Sequence, residues 1–425
     1  MSFYLRRRLS VVFGCFILSG LALAQERAWP RFYGANLDNK SQETGLLKQW
    51  PEAGPRLLFK IEGLGQGYAN CAVVGDRLYT AGNTARQTFV MAYDRQGQLL
   101  WKTLNMASAD QRLTQGPGWV ERFHGCKSTP TVAGGLVYHL NEMGRLAAFD
   151  AATGRERWAV DLVQRFGGKP SPFGYSESVV VEGGRLYVQP GGDKAFFVAL
   201  DPQNGQTLWT NNTLQDSVAS YVTPVVATIQ GQKQLVSWSP FHVVGLDAAT
   251  GRLLWSYRHQ NKDAENIETP LVFGDRVVVS SAYGQKMECI RVQKSGDQWS
   301  AASVWTQALA DDLHGGLVLH QGFIYGVACR GGRWFCVDSQ TGEIRYREAG
   351  VGLGELTYAD GMLYCLGHRG GLALVPATPQ GFEPASTVQL ADDGQDRWFV
   401  HPVIGGGRLH IRHGDFLYVY AVTGS

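Results

Sequence analysis

Three carboxylates, two histidines, a lysine, an asparagine and three tyrosines stand at equivalent places along this chain, in the two or three residues before a recurring apolar strand. They are Tyr68 and Asn70, Lys127, Tyr175 and Glu177, Tyr221, Glu268, His314, Glu355, and His401. Residues so far apart act together only if the fold gathers the starts of those strands at one opening. There, carboxylates facing a cationic group or Ca2+, with aromatic rings for stacking, could hold a sugar, a quinone or a peptide. Either histidine could serve as a general base, because imidazole titrates near neutral pH. A wet, mixed polar opening without a ligand is the competing reading, and no fixed catalytic spacing selects among these. His314, within LHGGLV, is the first residue to mutate. No metal-ligand spacing, phosphate-binding loop, Gly-x-Ser-x-Gly elbow or nucleic-acid motif stands out.

The elements that must position these residues are repeats. LAAFDAATGRERW, from Leu146 to Trp158, returns as VVGLDAATGRLLW from Val243 to Trp255. Aligned on the Asp, good copies occur at Asp94, Asp150, Asp201, Asp247 and Asp338. Worn copies read CIRVQKSGDQW and LALVPATPQGF, and a truncated one, VYAVTGS, ends the chain. A strand pair upstream of each copy gives the same count of eight, around Tyr79, Tyr138, Tyr187, Val236, Val278, Tyr325, Tyr364 and His410. A spacing of roughly 40 to 60 residues is that of a four-stranded propeller blade. With 53 glycines, many aromatic and β-branched residues and no long helical period, the expected fold is all-β: an eight-bladed β-propeller of four-stranded antiparallel blades.

Each unit reads as strand A, a Gly turn, strand B, a loop, strand C ending at the Asp, a turn with Gly, and strand D carrying a Trp. The Asp side chain caps the turn. Trp101, Trp158, Trp209 and Trp255 read as packing devices, each burying roughly 200 Å² between neighbouring sheets. The last repeat stops where its strand D is due, and PRLLFKIEGLG (55–65) is an orphan strand, so Leu57 to Ile61 is expected to complete the last blade and close the ring. In that strand order the residues before each strand A converge on a central funnel, beside the loops between strands B and C. The long connections 104–127 and 162–175 are expected at the same face, where they could form a lid. Arg86, Lys194, His242, Lys286, Arg330, Arg369 and His413 scatter over the B-to-C loops and read as solvated surface.

Residues 1–24 read as a signal peptide: Arg6, Arg7 and Arg8 precede an apolar run from Val11 that ends in Ala22-Leu23-Ala24. Residues 25–425 then form a single propeller domain, in which 25–54 packs on the propeller. The expected location is exported, periplasmic or extracellular, with no transmembrane segment in the mature chain. Without the leader, 36 basic residues stand against 37 acidic ones, a balance that gives no reason to expect a nucleic-acid partner. Cys329 and Cys336 flank RGGRWF, and a hairpin tip at Gly332-Arg333 would place them opposite each other as a disulfide; buried free thiols are the alternative. Cys71 and Cys126 allow a second bridge.

The repeat LDAATGRLLW resembles that of pyrroloquinoline-quinone (PQQ) dehydrogenase propellers and of the outer-membrane β-barrel assembly propeller lipoproteins. WPRFYGANLDNKSQETGLLKQWPEAGP, FGGKPSPFGYSES and HGGLVLHQGFIYG resemble exported PQQ-like propeller proteins more specifically. The resemblance implies either a binding or assembly scaffold, holding a protein, glycan or small-molecule ligand at the funnel face, or a PQQ- and Ca2+-dependent dehydrogenase of alcohols or sugars. The adjacent cysteines many such dehydrogenases carry are absent here, as are Cys-x-x-Cys-His haem sites and the lipidated Cys of the assembly lipoproteins. Whether the chain is an enzyme stays open at this point, as does a lyase or hydrolase at the same rim.

Overall fold

Each repeated Asp closes a hairpin by accepting backbone N–H groups ahead of it. Asp247 Oδ1 takes those of Ala249 and Thr250 at 2.9 Å, and Asp150 and Asp338 repeat the pattern. In the computed structural model, which describes residues 28–84, 87–105, 125–214, 216, 218–259, 265–391, 393 and 397–424, these hairpins are the outer halves of eight antiparallel sheets. The proposed leader lies outside the described residues. Strands A of blades 1 to 8 are Ala72–Val74, Thr131–Ala133, Val180–Glu182, Val225–Ile229, Leu271–Phe273, Val318–His320, Gly354–Ala359 and Val403–Gly405. Among the described residues no helix is long and apolar enough to cross a membrane.

In blades 1 to 4 the Trp of strand D faces a small residue across the hairpin: Ala92 opposite Trp101, Ala148 opposite Trp158, Ala199 opposite Trp209, Gly245 opposite Trp255. The indole reaches the next blade. Trp101, Trp158, Trp209 and Trp305 donate Nε1–H to the carbonyls of Ala151, Pro202, Ala248 and Ser339, each the residue after the next blade's Asp, at 2.9 to 3.2 Å. The turn glycine of that next blade lies flat against the ring: a Cβ on Gly154, Gly205, Gly251 or Gly342 would come within 2.4 to 2.7 Å of it. The repeated glycine is therefore a seat for the preceding blade's indole as well as a left-handed turn residue. Trp255 is the exception and donates to Gln234 in its own blade. The following hairpin, Met287–Ser295 with Gln298–Gln307, is drawn out, and its tip glycine, Gly296, meets nothing within 4 Å.

Leu57–Ile61 pairs antiparallel with Phe416–Ala421 and supplies strand D of blade 8. Phe59 takes the indole's place there, against Gly97 of blade 1. Across the same seam Arg412, 1% exposed, donates to the carbonyls of Ala69, Gly65 and Ala81. The six described cysteines are free thiols, which corrects the Cys329–Cys336 bridge. Strand Phe323–Ala328 pairs with Arg333–Asp338 so that Tyr325 opposes Cys336 and Ala328 opposes Arg333. The hairpin therefore turns earlier than Gly332-Arg333, and Cys329 falls within the turn.

The N-terminal segment does more than cover one blade. Trp29 exchanges two backbone hydrogen bonds of 2.8 Å with Val73, Val132 donates to Pro30, and Arg31 donates to Val181. The segment thus crosses strands A of blades 1, 2 and 3. Lys40–Ser41 then lies parallel to Gly354–Ala359 as a fifth strand on blade 7, where buried Asn39 donates to Leu356 O at 2.7 Å. Residues 29–41 plug the propeller axis.

Candidate functional site

Above that plug the axis opens as a blind cavity of about 480 Å³. Its floor is the chain's own Phe32, stacked on Tyr33 at 4.3 Å. Seven of the ten residues read from the sequence line it: Tyr68, Asn70, Lys127, Tyr221, His314, Glu355 and His401. The other three are buried beside it. Tyr175 donates to Pro190 O at 2.8 Å between blades 2 and 3. Glu177 accepts Gln189 N–H at 2.7 Å, while its Oε2 is buried with no partner among the described residues. Burial pushes its carboxyl up to about 8. Glu268 lies under the floor and accepts from Tyr33 Oη at 3.0 Å and from the amides of Gly316 and Leu317 at 3.2 Å. Burial, and then the charge of Asp312, raise it above the usual carboxylate range.

The glycines of LHGGLV explain how plug and rim meet. Gly316 has φ +84, and a Cβ there would come 2.5 Å from Asn39 Nδ2 and 2.8 Å from His401 Nε2. Only a residue without a side chain lets the N-terminal segment and His401 approach so closely. His401 packs edge-on to Phe32 and Tyr33 at 5.3 and 5.1 Å, and burial depresses it to about 3. It is a neutral packing histidine, poorly placed as a base at neutral pH. Lys127 is also committed, donating Nζ to the carbonyls of Gly125 and Phe173 at 3.3 and 3.2 Å.

Beside them stands a cluster the sequence reading missed. Glu355 Oε1 lies 2.9 Å from His314 Nδ1 and 3.0 Å from His368 Nε2. The two imidazoles stack at 5.3 Å, and Phe399 packs edge-on against both. His368 sits 13 residues after Glu355, across the hairpin from it, so only the strand pairing brings them together. Phe173, Tyr283, Arg397 and Phe399 also line the cavity. Phe173 arrives from the 162–175 connection, which begins as a one-turn helix, Leu162–Phe166, capped by Asp161 and Gly167. Residues 106–124 of the other long connection lie outside the described residues, as does Arg86. Of the basic scatter, His413 is not surface: it is buried, stacked on Trp398 at 3.8 Å and paired with Asp393.

Eight sheets around a plugged axis, locked by the Asp–Gly and Trp device, define a PQQ-type repeat propeller. The chain belongs to the family described as outer membrane protein assembly factor BamB, whose family model matches residues 85–348. It is 29% identical over 199 residues to that factor from Moranella endobia (strain PCIT), an alignment spanning 46% of this chain and 43% of the relative. The chain thus covers less than half the length of that relative. Among solved structures, BamB from Moraxella catarrhalis superposes with a TM-score of 0.60 at 16% identity, over 86% of this chain and 99% of that one. Quinohemoprotein alcohol dehydrogenase from Comamonas testosteroni superposes at 0.66 and 15% identity, over 98% and 83%. At such identities the likeness is one of fold.

The PQQ and Ca2+ pair that the fold class implies does not fit the described residues. Calcium takes six to eight oxygen ligands, whereas the oxygens of Glu268 and of Asp312 are occupied by Tyr33 and by backbone amides. Glu355 is flanked by imidazole nitrogens instead. Of the cations lining the cavity, Lys127 is spent on backbone carbonyls, which leaves Arg397.

Proposed function

We propose that this chain is an exported binding scaffold that holds a protein partner across its loop face, with a partner side chain seated in the blind funnel. The observation that carries this reading is the cavity itself. The chain's own N-terminal segment stops the axis, and the space left has the volume of a few side chains and walls of Phe32, Phe173, Phe399, Tyr68 and Tyr221. Such walls favour apolar or aromatic side chains of an extended segment, and Arg397 at the lining offers hydrogen bonds to its backbone. Membership of a family described as an outer membrane protein assembly factor supports a client or co-factor of that assembly as the partner. The basic and apolar start of the chain supports export.

The test is a photo-crosslinking residue at Phe399 or Tyr221, compared with one at exposed Leu208 on an outer strand, in cells of the natural host. The proposal expects adducts with outer-membrane proteins or their assembly partners from the funnel positions alone. Silence at the funnel, or equal adducts from Leu208, would exclude it.

A further inference from the structure

We propose that His314, Glu355 and His368 form a binding site for a transition-metal ion of the zinc class, with one coordination position open to the funnel. Two imidazole nitrogens and a carboxylate oxygen lie within 4.8 Å of one another. Metal bonds of about 2.0–2.2 Å at 90–110° put neighbouring ligand atoms about 2.8–3.6 Å apart. The Glu355–imidazole separations of 2.9 and 3.0 Å need to open by only tenths of an ångström to admit an ion, while the two imidazole nitrogens, which lie within 4.8 Å of each other, draw together over it. In the ion's place each imidazole now meets the single atom Oε1, while Glu355 Oε2, in a residue 1% exposed, has no hydrogen-bond partner among the described residues. A buried carboxylate oxygen left this way costs free energy, and a metal ion would use it.

The cluster is held from behind. Glu355 lies in strand Gly354–Ala359, His368 is pinned by its N–H to Leu353 O at 2.8 Å, and Phe399 braces both rings. His314 is the partly exposed member and, with Glu355, faces the cavity. Two nitrogen donors select zinc, copper or nickel over calcium or magnesium. Three protein ligands with a fourth position facing a cavity is the arrangement of an ion that exchanges water for a donor atom of a bound molecule. An ion takes neutral imidazoles and an ionised carboxylate as ligands, so uptake weakens as pH falls.

The full chain, stripped with a chelator, is titrated with Co2+ and separately with Zn2+, followed by visible absorption and calorimetry. The expected result is one equivalent of either ion, visible d–d bands for cobalt, and displacement of cobalt by zinc. His314→Gln, at the exposed edge of the cluster, and Glu355→Gln should each lose the bands while the metal-free melting temperature shows the variant folded. The native chain taking up no stoichiometric ion would overturn the proposal. So would a folded His314→Gln variant that binds as the native chain does, since the ion would then sit elsewhere.

Discussion

The outer hairpins and the inner rim of this propeller obey opposite rules. At the outside, the same Asp, Gly and Trp recur because each blade faces the same packing problem: an indole must find a flat seat and a carbonyl on the next sheet. At the inside, the residues ahead of strand A vary in chemistry from blade to blade, because all of them face one shared axis. Repetition marks what holds the ring, and departure from it marks what the ring presents.

The sharpest way to break the comparison is to remove one member of the outer device. Trp158→Ala discards the indole, its bond to Pro202 O and the cover of Gly205, and should lower the free energy of unfolding in urea by about 3–5 kcal/mol. A loss below about 1 kcal/mol would mean the hairpins are not what holds neighbouring blades. A pair of glycine variants then separates seat from turn. Gly205 and Gly296 share a left-handed backbone, φ +70 and +59, but only Gly205 lies against an indole. Gly296→Ala should cost about 1–2 kcal/mol from the backbone alone, and Gly205→Ala about 1–3 kcal/mol more from overpacking. Equal costs would reduce the seat to a turn.

At the inner end the effects are smaller and depend on pH. Glu177 holds its proton up to about 8 in the folded chain, against an ordinary value of 4.5, because burial penalises the carboxylate. Folding therefore takes up a proton between those values. The contribution of Glu177 to stability is fully present below pH 4.5 and is lost as pH rises toward 8. Chemical denaturation of Glu177→Gln across this window should show a shallower decline than the native chain, and parallel curves would contradict the assignment. The smallest effect is expected for Tyr221→Phe. Its hydroxyl accepts Phe173 N–H at a long 3.5 Å and meets the Ser171 side chain, neutral contacts at the cavity wall, so stability should change by less than about 1 kcal/mol, measured by thermal melting.

The outer rule was legible in the sequence and the inner one only partly. Blade number, the strand lent by Leu57–Ile61 and the positions of Asp94 through Asp338 follow from local turn chemistry repeated from blade to blade. The register of Cys329 and Cys336 was misread because RGGRWF can turn at either of two places, and the pairing of Tyr325 with Cys336 decides between them. Seven rim residues could be found from their offset to strand A. Tyr175, Glu177 and Glu268 come from the same stretches, but the first two are buried beside the cavity and Glu268 turns under its floor to Tyr33, which a linear pattern does not show. His368, Phe173 and Phe399 lay in loops without a repeat signal, and their meeting with His314 and Glu355 exists only once the blades are assembled.

The closed axis ties these regions together, since the plug is what turns a ring with a hole into a ring with a floor. Hydrogen exchange over residues 29–41 of the native chain tests it most directly. The account predicts protection of the amides of Trp29 and Asn39, bonded to Val73 O and Tyr33 O, comparable to that of the inner strand Ala72–Val74. Exchange at the rate of an unanchored chain end would contradict it and leave the funnel open at both ends.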